Sequence, residues 1–127
     1  MTYSEENYLK IIYHLSASAP KGSITTNAIA AEMESKPSSV TDMVQKLADK
    51  GFVDYKKYQG VSLTEEGRFT ALMIVRKHRL WEVFLVDKLD FSWDEVHDDA
   101  EQLEHIKSEK LTNKLDAFLD YPTEDPH

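Results

Sequence analysis

The amino-acid sequence predicts a mainly α-helical protein that carries one small β-hairpin and is divided into two parts. Apolar residues recur with a helical period in six stretches, and two short segments with strand character separate the third stretch from the fourth. Residues 1–60 hold seven Lys or Arg and seven Asp or Glu, whereas residues 61–127 hold eight and sixteen. The net charge of −8 therefore lies in the second part, which indicates that the two parts have different functions.

Capping residues and helix-ending residues place the first three helices. They are expected to run from a cap at Ser4 to before Pro20, from Thr25 or Thr26 to Met33, and from Pro37 or Ser38 to Lys50. The residues expected to be buried are Tyr8, Ile11, Ile12 and Leu15 in the first helix, Ala28, Ile29 and Ala31 or their neighbours in the second, and Val40, Met43, Val44 and Leu47 in the third.

Three further helices are expected in the second part. A long fourth helix opens at Thr64–Gly67 and reaches about Leu89, with apolar residues on more than one face, as in a helix that packs on both its own domain and a partner subunit. A fifth helix begins with a capping box. The residues of that box are Ser92 and Glu95, and a sixth helix begins at Ser108 and is expected to bury Leu111, Leu115, Phe118 and Leu119, which leaves the tail 123–127 outside the predicted elements.

The order helix, helix, short turn, helix and hairpin is that of a winged helix-turn-helix, in which the third helix enters the major groove by its N-terminal end. The hairpin, or wing, is predicted at Phe52–Lys57 and Val61–Leu63. Small hydrogen-bonding side chains at the start of a helix can reach phosphates and base edges, and the helix N-terminus itself favours a phosphate. The predicted DNA-binding residues are Lys36, Pro37, Ser38, Ser39, Thr41, Asp42, Lys46, Lys56 and Lys57.

The acidic stretch Val96–His105 carries a candidate metal site. On a continuous helix its two histidines and two glutamates fall within an arc of about 100°. The four residues are His97, Glu101, Glu104 and His105, and His78 and Glu82 form a further pair at i,i+4. Converging side chains that can bind metal favour a metal site over a solvated acidic surface. Since the chain contains no cysteine, its ligands would be nitrogen and oxygen.

The sequence resembles the diphtheria toxin repressor family of metal-dependent transcriptional repressors, and within it the manganese-responsive regulators. The segments that carry the resemblance are Glu6–Tyr13, Pro37–Thr41, Leu63–Gly67, Lys77–Glu82 and Val96–His105. The resemblance covers essentially the whole chain. It implies a winged helix-turn-helix DNA-binding domain at 1–63 and a helical dimerisation and metal-binding domain at 64–127. Longer members of the family continue into an SH3-like domain, and this chain ends about where that domain would begin.

The resemblance also implies two metal sites in each subunit. The primary site would use Asn7, Glu101, Glu104 and His105, and the ancillary site would use His78, Glu82 and His97. The iron-sensing branch has methionine in place of Asn7 and cysteine in place of Glu101, so this chain offers harder ligands, which suit Mn²⁺ or Fe²⁺. Manganese-responsive relatives often have aspartate in place of Asn7, and some have glutamate in place of Lys10, so that Lys10 disfavours a closely spaced metal pair.

The function implied is repression of metal-uptake and homeostasis genes by a homodimer on a palindromic operator. Metal would tie the first helix to the dimerisation domain and hold the two recognition helices about 34 Å apart. Two alternatives fit parts of the sequence: a carboxylate-bridged dimetal enzyme and a metal-independent winged-helix regulator. The polar first residues and the absence of a run of about 20 apolar residues predict a cytoplasmic protein without membrane contact.

Overall fold

The computed structural model describes residues 1–19 and 21–122, so the expected stop at Pro20 and the tail 123–127 lie outside the described residues. The elements are α1 (Tyr3–Ala17), α2 (Thr26–Met33), α3 (Pro37–Asp49), β1 (Val53–Lys56), β2 (Gly60–Leu63), α4 (Glu65–Leu89), α5 (Trp93–Leu103) and α6 (Glu109–Phe118). This order confirms the predicted mainly α-helical fold with a single hairpin among the described residues. The chain divides into two compact units, Met1–Leu72 and Met73–His127.

The first unit has a continuous apolar core formed by α1, α2, α3, the hairpin and the first turns of α4. Leu9, Ile12, Ile29, Val44 and Leu47 are fully buried in it. The strands β1 and β2 pair antiparallel, with Val53 opposite Leu63 and Lys56 opposite Gly60. Ile24, between α1 and α2, forms a β-bridge with Val61. The core confirms the periodicity of the first and third helices, whereas in α2 the buried residues are Ile29 and Ala30, and Ala31 is exposed.

The predicted cap of the first helix at Ser4 is wrong, because α1 begins two residues earlier and is capped by Thr2. The Thr2 hydroxyl accepts a hydrogen bond from the Glu5 amide at 3.1 Å, and the Glu5 carboxylate accepts one from the Thr2 amide at 2.8 Å. This reciprocal capping box satisfies two amide donors that a helix start would otherwise leave without partners. Ser4 therefore lies in the first turn of the helix.

The second unit is formed by the remaining turns of α4 together with α5 and α6. Its buried residues include Leu80, Val83, Val96, Ala100 and Leu115. The predicted starts of α5 and α6 are confirmed, since the Glu95 carboxylate accepts from the Ser92 amide and the Ser108 hydroxyl accepts from the Leu111 amide. None of the helices in the described part of the chain is both long and apolar enough to cross a membrane.

Two predictions for the second unit are wrong. The helix that carries the acidic stretch ends at Leu103, so Glu104 is its C-cap and His105 lies in the following turn. In α6, Leu111 is 40% exposed and Phe118 is 62% exposed, where burial was expected. Their spacing of seven residues places them on one face of α6, and no element in the described part of the chain buries them.

Candidate metal centre and DNA-binding surface

Three side chains of the second unit form a candidate metal centre. His78 and Glu82 lie one turn apart on α4, and His97 reaches them from α5. One ligand atom from each residue lies within 4.8 Å of the others. Two imidazole nitrogens and a carboxylate oxygen form a donor set that suits a first-row divalent cation. The structure therefore brings together the residues that the sequence assigned to the ancillary site.

Glu82 is at the centre of this cluster. Its Oε1 lies 3.3 Å from Nε2 of His78, and its Oε2 lies 3.9 Å from Nδ1 of His97. The Glu82 side chain is 2% exposed and that of His78 is 11% exposed, whereas that of His97 is 57% exposed. The cluster therefore has one closed side, towards the core, and one side open to solvent. On the closed side, a buried carboxylate is stable in its charged form only beside positive charge or hydrogen-bond donors.

Glu104 is fully buried and contacts two histidines. Its Oε1 lies 2.7 Å from Nδ1 of His78, and its Oε2 lies 3.9 Å from Nε2 of His105. The turn that carries His105 is fixed by Lys77, whose Nζ donates to the Ile106 carbonyl oxygen at 3.2 Å. The position of Glu104 at the end of α5 thus directs its carboxylate towards α4.

The residues assigned to the primary site are not gathered in the same way. Glu101 points towards the ancillary residue His97, with its Oε1 3.8 Å from Nε2 of His97. Among the described residues, the group whose ligand atoms lie this close together consists of His78, Glu82 and His97. Glu101, Glu104 and His105 do not form a second such group. Asn7 is partly buried on α1 in the first unit, and its part in metal binding stays a prediction.

The start of α3 presents the predicted DNA-binding residues on the surface. Lys36 is the N-cap and Pro37 occupies the first turn. Thr41 is partly buried, and its hydroxyl donates to the Pro37 carbonyl oxygen at 3.1 Å. In this conformation the hydroxyl is therefore hydrogen-bonded within α3. The exposed members of the predicted set are Lys36, Pro37, Ser38, Ser39, Asp42 and Lys46 around α3, together with Lys56 and Lys57 at the wing.

Tyr58 lies in the turn at the tip of the wing and is not among the residues predicted to bind DNA. Its side chain is 94% exposed, its φ is +69°, and Nζ of Lys57 lies 5.3 Å from the centroid of its ring. A tyrosine with positive φ is unusual, because its Cβ crowds the backbone in that conformation. The short turn between two strands was a signal that could have drawn attention to it.

A second missed feature joins α1 to the end of α3. The buried carboxylate of Glu5 forms an ion pair with Lys50, the C-cap residue of α3. The hydrogen bond from Lys50, supported by the one from the Thr2 amide, lowers the pKa of Glu5 from 4.5 to about 2. The Thr2–Glu5 spacing of a capping box was visible in the sequence, but the partner 45 residues away was not.

Two family models match the chain. One describes the iron dependent repressor N-terminal DNA-binding domain and matches residues 1–61, and the other describes the iron dependent repressor metal-binding and dimerisation domain and matches residues 64–127. A curated relative, the HTH-type transcriptional regulator MntR of Oceanobacillus iheyensis, is 37% identical over 124 residues, which are 98% of this chain and 82% of that protein. An HTH-type transcriptional regulator of Methanocaldococcus jannaschii is 36% identical over 120 residues, which are 94% of this chain and 95% of that protein.

A solved structure of a manganese-dependent transcriptional repressor in complex with manganese matches with a TM-score of 0.84 and 41% identity. The match covers 97% of this chain and 56% of that one, so this chain spans little more than half the length of that repressor. The family models together cover both units. The chain therefore belongs to the iron-dependent repressor family of metal-dependent transcriptional repressors, the family of the diphtheria toxin repressor.

Proposed function

We propose that this chain is a repressor activated by Mn²⁺, with Fe²⁺ as the alternative ion, and that it binds a palindromic operator as a homodimer. The observation that carries the proposal of a bound divalent metal is the donor set around Glu82, two imidazoles and one carboxylate, in a chain that has no cysteine. A site built only from nitrogen and oxygen ligands lacks the thiolates that favour zinc and copper(I). The relatives named for manganese support the same choice.

The ancillary ion would be held by His78, Glu82 and His97. The primary ion would be held by Glu104 and His105, with Glu101 and Asn7 completing the set, and the contribution of Asn7 rests on the family resemblance. A divalent ion supplies positive charge that offsets these carboxylates. Among the proposed primary ligands, Glu104 is fully buried and contacts His78 of α4.

The domain at 1–63 would bind DNA through α3 and the wing, and the domain at 64–127 would dimerise. Support for DNA binding comes from the exposed residues at the start of α3 and the lysines of the wing. Support for dimerisation comes from large apolar side chains that are exposed on a single chain and that a partner subunit could cover. In the second unit these are Leu89, Trp93, Leu111, Phe118 and Tyr121.

Fluorescence anisotropy with a labelled palindromic duplex tests this function. We expect Mn²⁺ to tighten DNA binding by about 5–150-fold over chelator, the usual range of coupling between two ligands. The double variant Glu104→Ala, His105→Ala should lose this dependence, whereas Asp98→Ala, which removes an exposed carboxylate from α5, should keep it. Equal DNA binding with Mn²⁺ and with chelator would contradict the proposal.

A further inference from the structure

We infer that the two metal sites are coupled through the imidazole ring of His78, which joins them by its two nitrogens. This inference rests on the proposed function, since it concerns the ions proposed above. In the described structure Nε2 of His78 faces Glu82 of the ancillary site at 3.3 Å. Nδ1 of the same ring faces Glu104 of the primary site at 2.7 Å. One side chain therefore touches a ligand of each site.

His97 repeats this arrangement more weakly. Its Nδ1 lies 3.9 Å from Glu82, and its Nε2 lies 3.8 Å from Glu101. Both distances exceed the range of a hydrogen bond, and the side chains of His97 and Glu101 are 57% and 44% exposed. Water therefore competes for this pair and screens it. The two histidines make a natural comparison, because each belongs to the ancillary site and each faces a different primary carboxylate.

The His78 link has the geometry of a histidine ligand oriented by a carboxylate. When Nε2 of a neutral imidazole binds a cation, the proton resides on Nδ1, and that N–H donates to the neighbouring carboxylate. In this chain the acceptor is Oε1 of Glu104, which leaves Oε2 on the side of His105. An occupied ancillary site would thus fix both the tautomer of His78 and the rotation of the Glu104 carboxylate.

The sign of the coupling follows from this fixed orientation of the Glu104 carboxylate. A carboxylate already held by a buried hydrogen bond loses less conformational entropy when it binds a cation than one that is free to rotate. Loss of such a supporting hydrogen bond typically lowers metal affinity by about 10–100-fold. The contact is already formed without metal, and an ion on Nε2 would strengthen it by keeping the proton on Nδ1. Two nearby cations repel each other, and we expect the ordering of Glu104 to outweigh that repulsion. The primary site should then bind Mn²⁺ more tightly when the ancillary site is filled, and removal of His78 should weaken both sites.

Three variants of the full chain separate this link from simple loss of the ancillary ion. His78→Ala, His97→Ala and Glu82→Gln each remove an ancillary ligand, but only His78→Ala also removes the contact with Glu104. Binding of Mn²⁺ would be measured by calorimetry, and the bound ions counted by electron paramagnetic resonance. We expect each variant to bind one ion, about 10–100-fold more weakly in His78→Ala than in Glu82→Gln. His97→Ala should lie within about fivefold of Glu82→Gln, since an exposed pair contributes little.

The outcomes distinguish this inference from the function on which it rests. Equal affinity for the remaining ion in all three variants would overturn the coupling and leave the proposed function intact. A wild-type chain that binds no Mn²⁺ would overturn both. If circular dichroism shows that His78→Ala does not fold, the wild-type isotherm decides: cooperative binding of two ions supports the coupling, and two independent sites overturn it.

Discussion

The ion pair between Glu5 and Lys50 gives a prediction with a defined pH dependence. Glu5→Gln keeps the size of the side chain and an oxygen that can accept from the Thr2 amide, but it removes the charge that faces Lys50. The pKa of Glu5 is lowered to about 2 in the folded state. Its contribution to the free energy of unfolding is therefore complete above its ordinary value of 4.5, and is lost as the pH falls from 4.5 towards about 2.

The magnitude follows from the pKa and from exposure. A lowering from 4.5 to about 2 corresponds at full strength to about 3 kcal/mol, at about 1.4 kcal/mol for each pH unit. The Lys50 side chain is 42% exposed, so water screens the pair, and we expect Glu5→Gln to cost about 1–2 kcal/mol at pH 7. For a chain of this size that corresponds to a fall in Tm of about 3–10 °C.

Thermal unfolding between pH 2.5 and 7.5, with chelator and at one protein concentration, measures the effect. The wild type should exceed Glu5→Gln in stability by a constant margin above pH 4.5, and most of that margin should be lost as the pH falls from 4.5 to 2.5. Glu32→Gln, which removes an exposed carboxylate from α2, serves as the control and should run parallel to the wild type. If Glu5→Gln matches the wild type at every pH, the ion pair contributes nothing and the reasoning is refuted.

Three further predictions concern other parts of the molecule. Gly67→Ala should destabilise the first unit by about 1–3 kcal/mol, measured by urea unfolding, since the added Cβ meets the carbonyl oxygen of Phe52. Ser108→Ala should cost about 1 kcal/mol in the same assay, because the Leu111 amide loses its cap. Lys46→Ala should reduce the slope of log K against log salt for operator binding by about 2, about 1 for each subunit of the dimer, and an unchanged slope would show that Lys46 meets no phosphate.

Sequence periodicity was sufficient to predict the fold, because helical periodicity depends on neighbours three or four residues apart. The start of α2 at Thr26, the start of α3 at Pro37 and the length of α4 from Glu65 to Leu89 agree with the predictions to within a residue or two. Capping signals were less decisive at α1, where Ser4 and Thr2 both offered a hydroxyl near the helix start. Thr2 is the cap because Glu5 lies three residues after it and completes the box.

The candidate metal centre was predicted in its residue types and not in its contacts. Spacing at i,i+4 correctly placed His78 and Glu82 on one face of α4, the family resemblance grouped His97 with them, and the structure brings the three together. The same spacing placed His105 on a helix that in fact ends at Leu103. A periodic pattern gives no measure of where a helix ends, since the end depends on packing and on the turn that follows.

The sequence by itself determined which side chains this protein can use: a neutral DNA-binding half, an acidic half without thiols, and histidines and glutamates at helical spacing. Those properties depend on composition and on near neighbours along the chain. Only the tertiary structure decided that Glu104 is buried against His78, 26 residues away, and that Glu5 meets Lys50, 45 residues away. Such contacts depend on how helices pack against one another, and packing depends on the shapes and burial of many distant side chains at once.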